Sequence, residues 1–298
     1  MALEHLRIGF IGSGRLGKAL AWHCSHRGLS VVAAASRRIK DAQELARRVT
    51  GCRAGDAQQV ADSCDLIFIT TPDKAIEPTA QALRWRAGSS VVHCSGATEV
   101  TDLARAAAAG AHIGGFHPLQ AFGDPETAAR SLPGCTVTIE AGEPLDDLLI
   151  ELAERLGCAV NRLPHGARPL YHAAAGYGSQ FINALMLEAA AMWQSWGSSE
   201  AAAVRALLPM ELGTLAAIEK AGLAQGMPGP VSRGDLGSIR KHVQALQTFD
   251  THSVGLYREL CERTVLLALA GQRIDTATGA RVREVLADAG ALQPCRTA

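Results

Sequence analysis

The strongest constraint on this chain lies at its start. Ile8-Gly9-Phe10-Ile11-Gly12-Ser13-Gly14-Arg15-Leu16-Gly17 is an apolar run that passes into G-x-G-x-x-G and then into a helical pattern. Glycines at that spacing, between a strand and a helix, have separable purposes. Gly12 permits a tight turn, Gly14 lets the backbone approach a pyrophosphate, and Gly17 lets the helix pack closely. The free N–H groups and positive dipole end of that helix favour an anion. The alternative is a glycine-rich turn without a ligand, against which the βα pattern that follows argues.

Over the first half, short β-rich runs at 6–11, 29–35, 66–70, 90–94, 113–116 and 135–139 alternate with helical stretches such as 17–27 and 41–49. Several runs are apolar at successive positions, as strands covered on both faces are, so an α/β fold with a Rossmann-type parallel sheet is expected. A further helix at 146–156 and strand at 158–161 place the boundary near Leu163. Residues 1–163 then form a nucleotide-binding domain and 164–298 an all-helical one, with long helices predicted at 169–196, 199–221, 236–247 and 251–270. The residues beyond Gly290 are expected to fray.

Composition excludes some functions. The 29 Lys+Arg balance 29 Asp+Glu, so nothing draws the chain electrostatically to nucleic acid or an anionic membrane. That points to a small-molecule partner. The eight Cys include no C-x-x-C pair and no zinc-like spacing, which suggests a reducing, cytoplasmic setting. No secretory leader pattern opens the sequence, and no apolar run reaches the ~18 residues of a membrane span.

Where the second strand ends, an NAD-preferring site would carry an acid for the ribose hydroxyls. This chain has Ser36-Arg37-Arg38 and then Lys40. A guanidinium binds phosphate through paired charge-assisted hydrogen bonds, so NADP (as NADPH) is the expected cofactor, unless these are solvated helix-start charges. Thr70-Thr71-Pro72 and Ser95-Gly96 follow later strands at the same sheet edge, as neighbours of the ribose and nicotinamide or as plain helix caps.

The chemistry is expected from histidines. His117, in Phe116-His117-Pro118-Leu119-Gln120, ends a strand at the ligand edge, and an imidazole there could protonate the oxygen or nitrogen formed by hydride transfer or simply tie down the loop. His172 begins a long helix whose Ser179, Gln180 and Asn183 could share its face, lining a substrate cleft or an interhelical seam. Arg233 and Asp235 follow the rigid Pro228-Gly229-Pro230 turn. Arg233 could anchor a substrate carboxylate, and Asp235 could cap the next helix or hold the site in register. His93, His112 and His117 show no ligand spacing with acids or thiols, so no metal is expected.

These segments together resemble the Rossmann-like NADP oxidoreductase family, related to deazaflavin-dependent NADP reductases, that carries a helical C-terminal domain of unknown function. The carriers include the glycine loop, Thr71-Pro72-Asp73, His93-Cys94-Ser95-Gly96, the His117 segment, Tyr171-His172-Ala173-Ala174-Ala175 and Gly229-Pro230-Val231-Ser232-Arg233-Gly234-Asp235. The resemblance implies NADP binding by the first domain, dimerisation through a helical domain of the 6-phosphogluconate dehydrogenase C-terminal type, and an active site between them. More distantly the layout is similar to ketopantoate reductases, pyrroline-carboxylate reductases and β-hydroxyacid dehydrogenases. It departs from the last in offering Tyr171-His172 where they place a catalytic Lys. The expected function is NADPH-dependent reduction of a small, carboxylate-bearing carbonyl or imine by a homodimer. The rival is a non-catalytic NADP-binding sensor or interaction protein, because a fold alone does not establish chemistry.

Overall fold

A computed structural model describes residues 3–288. The tail beyond Gly290, expected to fray, lies outside the described residues. The chain divides into two compact units, Met1–Ser179 and Gln180–Ala298.

In the first unit, β1 (Ile8–Ile11), β2 (Val31–Ala35), β3 (Arg53–Gly55), β4 (Leu66–Ile69), β5 (Ser90–His93), β6 (His112–Pro118), β7 (Thr136–Ala141) and β8 (Ala159–Arg162) form one sheet. Its strand order is β3-β2-β1-β4-β5-β6-β7-β8. The helices are α1 (Arg15–His26), α2 (Ile39–Arg47), α3 (Ala57–Ser63), α4 (Ile76–Ala82), α5 (Ala104–Ala108), α6 (Pro125–Ser131), α7 (Leu145–Arg155) and α8 (Arg168–Tyr177). The apolar runs are explained by two cores, one on each face. Phe10, Phe68 and Phe116 fill one, with Phe10 stacked on Phe68 at 5.1 Å and Phe116 edge-on at 5.6 Å. Ile11, Ile67, Ile69 and Val91 fill the other. Successive strand residues point to opposite faces, so burial of both requires a continuous apolar run.

Three sequence expectations change. The sheet is not wholly parallel, because β6 and β7 pair antiparallel. The connecting α6 packs its Ala128 and Ala129 on Ala19 of α1, so the chain turns back along β6 instead of crossing the sheet. The short edge strand β3 was not foreseen; it has three residues and begins with the exposed Arg53. The single helix expected over 169–196 is two. Helix α8 stops at Tyr177, Gly178 forms its C-cap, and Ser179 Oγ donates back to the Ala175 carbonyl at 2.8 Å. Helix α8 lies in the compact unit that ends at Ser179.

The second unit holds α9 (Gln180–Gln194), α10 (Glu200–Gln225), α11 (Leu236–Phe249), α12 (Thr251–Ala270) and α13 (Thr276–Asp288). Val231, Ile239, Val243, Cys261, Val265 and Val282 form its core. Ser199, Asp235 and Asp250 cap α10, α11 and α12 by accepting from backbone N–H groups three residues on. Helix α10 leaves Leu208, Met210, Leu212, Leu215 and Leu223 exposed. By length and composition it is the one described helix that could cross a membrane. The sequence reading passed over it because Arg205 and Glu211 interrupt any strictly apolar run.

Candidate active site

The glycine loop lies at the point where the strand order reverses, between β1 and β4. Gly12 has φ 115°, and a Cβ there would meet the Thr70 backbone at 2.6 Å. Thr70 Oγ1 donates to the Gly12 carbonyl at 2.5 Å, and Ser13 Oγ donates to the Ala35 carbonyl at 3.2 Å. A Cβ on Gly17 would strike the Gly12 carbonyl and Thr70 Oγ1. At Gly14 a Cβ would meet nothing within 4 Å. Thus Gly12 and Gly17 are small because protein surrounds them, whereas Gly14 borders open space. No side chain caps α1, so the amides of its first turn are available to an anion. Arg15 is exposed beside them, and the Leu16 side chain packs on the core. The residues present fit a dinucleotide phosphate.

At the end of β2, Ser36 is half-buried and both arginines are exposed. Their availability differs. Arg38 Nε and Nη2 are bound to Asp41 at 2.8 and 3.1 Å, while Arg37 makes no hydrogen bond or ion pair among the described residues. Across the crevice, the Thr71 hydroxyl is buried without a partner and Pro72 is exposed.

The carboxyl ends of β5 and β6 carry the titratable groups. Ser95 Oγ accepts from the amides of Ala97 and Thr98 at 3.1 and 3.0 Å, fixing the turn that presents Gly96. A Cβ on Gly96 would lie 2.8 Å from His172 Cδ2 and 3.1 Å from His117 Nε2. Both imidazoles thus converge on one buried glycine. His117 Nδ1 is hydrogen-bonded to the Tyr171 hydroxyl at 2.6 Å. Burial, then the neighbouring His172 and Arg168, push the His117 pKa down to about 4. His172 is exposed. His93, fully buried, accepts from the Ser95 amide through Nδ1, and burial lowers its pKa to about 3. His112 lies at the opposite, amino end of β6. Among the described residues, the grouping whose geometry could suit a metal ion is Glu143, Asp146 and Asp147 around the start of α7, with Asp146 half-buried and ion-paired to Arg162.

Under the histidines lies an ion pair that sequence reading missed. Arg168, wholly buried at the start of α8, donates from Nε to Glu140 and from Nη1 to the Ser95 carbonyl at 2.8 Å. Its remaining Nη2 has no partner and lies where a side chain on Gly115 would be. Glu140 also meets His165 Nδ1 at 3.3 Å. One arginine therefore joins α8, β7 and the Ser95-Gly96 turn. The available signal was the paired Gly114-Gly115 within a strand, a mark of close approach.

The remaining sequence candidates lie in the helical unit. Asn183 is exposed on α9, so it does not continue the face of His172 on one helix. The Asp235 carboxylate is engaged by the Ser238 amide and hydroxyl, at 3.0 and 2.6 Å, as the cap of α11. Arg233 is exposed and, with Gln272, Arg273, Thr276 and Thr278, lines an open cavity of about 660 Å³.

Residues 7–96 match the family model described as NADP oxidoreductase coenzyme F420-dependent, and residues 135–264 match the Domain of unknown function (DUF2520). The chain carries an NADP oxidoreductase domain followed by a DUF2520 domain. The DUF2520 match begins within the sheet, before β7, so Glu140, Arg168, Tyr171 and His172 fall in the DUF2520 portion and the glycine loop, Ser95 and Gly96 in the NADP oxidoreductase portion. No curated protein sequence matches the chain. Its fold is similar to that of a Thermotoga maritima protein (22% identity, 89% of this chain and 99% of the other, TM-score 0.74). It is also similar to the Aspergillus terreus reductive aminase in complex with NADPH and ethyl levulinate (18%, 94% and 99%, TM-score 0.61). The Plasmodium falciparum pyrroline carboxylate reductase with NADP bound is similar too (12%, 95% and 99%, TM-score 0.58).

Proposed function

We propose that this NADP oxidoreductase is an NADPH-dependent reductase of small carbonyl or imine compounds bearing a carboxylate, acting in the cytoplasm as a homodimer. The observation that carries the reading is the convergence of His117 and His172 on Gly96, at the same sheet edge as the uncapped start of α1. NADPH, when bound, supplies the hydride. The first-turn amides of α1, with Gly14 leaving them open, hold its pyrophosphate, and Arg37 holds the 2′-phosphate. Thr71 offers its unpartnered hydroxyl to the bound cofactor. The imidazoles provide the N–H groups that meet the oxygen or nitrogen gaining negative charge. Arg168 keeps the Gly96 turn against β7, which holds those imidazoles in place. In the helical unit Asp235 fixes the turn carrying Arg233, the cation assigned to the substrate carboxylate, and Asn183 is assigned a hydrogen bond to substrate.

A second copy suits the bare apolar face of α10, since covering one leucine contributes about 1.5–3 kcal/mol. The decisive experiment is NADPH oxidation with a panel of 2-keto acids, cyclic imines, ketone–amine pairs and deazaflavin. Turnover of a carboxylate-bearing carbonyl or imine is expected. Tight NADPH binding with silence across the panel would overturn the catalytic reading in favour of a sensor.

A further inference from the structure

The hydrogen bonds behind His117 run in one direction. Thr138 lies opposite His117 in the antiparallel register of β6 and β7, and is fully buried. Its Oγ1 accepts from Asn161 Nδ2 of β8 at 3.2 Å. Tyr171 is hydrogen-bonded to His117, with its ring edge-on to the imidazole at 85°. A hydroxyl carries one proton and an amide N–H can only donate. A phenol O–H donates more readily than its oxygen accepts, and a neutral imidazole nitrogen is a good acceptor. Tyr171 therefore gives its proton to His117 Nδ1. An Nδ1 that accepts leaves the ring proton of the neutral imidazole on Nε2, the nitrogen that faces Gly96.

We propose that Tyr171 is a positioning residue that locks His117 in the Nε2–H tautomer, so that His117 meets substrate as a neutral hydrogen-bond donor. Burial supports this, because it disfavours the imidazolium; His172 and Arg168 act in the same direction, and only Asp73 opposes them. The two histidines then divide the work. His117 stabilises the charge developing on the substrate oxygen or nitrogen, and the exposed His172 transfers the proton that balances the hydride and is reprotonated by solvent. The catalytic meaning of the lock rests on the reductase reading, but the tautomer itself does not.

The test is ¹⁵N-detected NMR of histidine-labelled, cofactor-free protein at neutral pH, read beside steady-state kinetics. Wild type is expected to show His117 with a protonated Nε2 and an unprotonated Nδ1. Tyr171→Phe keeps the ring and removes the hydroxyl. It should mix the two tautomers and lower kcat roughly tenfold, the scale of one lost hydrogen bond, with KM for NADPH unchanged. A proton on Nδ1 in wild type, an imidazolium at neutral pH, or a Tyr171→Phe spectrum identical to wild type would overturn the proposal. The expected tautomer in a protein that reduces nothing would sink the reductase reading and leave the lock standing. Active enzyme with the opposite tautomer would do the reverse.

Discussion

Replacing Arg168 by Met removes the one charge that Glu140 meets at close range. In the folded chain the guanidinium is fully buried and Glu140 is 8% exposed, so neither group can recover hydration in place. Among the described residues only His165 Nδ1, at 3.3 Å, remains for the carboxylate, and its own side chain is largely in solvent. Breaking one side of a buried pair costs about 3–5 kcal/mol, mostly from the charge left behind. In a unit of this size that corresponds to about 6–20 °C in Tm. The effect should not add with its partner. Glu140→Leu combined with Arg168→Met removes both charges and should regain most of the loss, because two apolar side chains can replace a buried pair at little net cost. Thermal and denaturant unfolding of the two single variants and the double variant measure the cycle. Single losses below about 1 kcal/mol, the range of a solvent-exposed pair, or strict additivity, would refute the argument.

His117→Ala and His172→Ala should each lower turnover roughly 10²- to 10⁴-fold with NADPH affinity nearly kept, and near-normal turnover in both would remove their role. Arg37→Ala should weaken NADPH about tenfold or more and leave NADH unchanged, while Arg38→Ala, its guanidinium already held by Asp41, should do less; equal loss for both nucleotides would contradict the phosphate assignment. His93 and His117 have pKa values of about 3 and 4 when folded, against 6.5 unperturbed. Between those values the unfolded chain binds more protons, so stability is fully present above pH 6.5 and falls as pH drops through 6.5 toward 4, by on the order of several kcal/mol in all. Unfolding free energies across that range check it, and a flat profile would contradict the burial of both rings. Sedimentation at micromolar concentration should give a dimer that Leu212→Glu dissociates, and a monomeric wild type would leave the apolar face of α10 unexplained.

The glycine loop was legible in the sequence because backbone geometry dictates it: no other residue type tolerates the contacts at Gly12 and Gly17. The central strands were legible because burial on two faces leaves a continuous apolar run. Other features lacked a local signature. Arg168 and Glu140 are 28 positions apart and meet only because α8 lies against β7. Tyr171 stood beside His172 in the motif, yet its partner His117 comes from a strand 54 positions earlier. The break after Tyr177 hid in a run of small and apolar residues whose periodicity suits one helix as well as two.

That break sorts the chemistry. With α8 ending before Ser179, both imidazoles, their tyrosine and the glycine floor between them stand on a single packed body. The spacing among these groups is therefore inherited from the sheet's own core. Mutations drifting through Gln180–Ala298 therefore leave untouched the packing that spaces these groups.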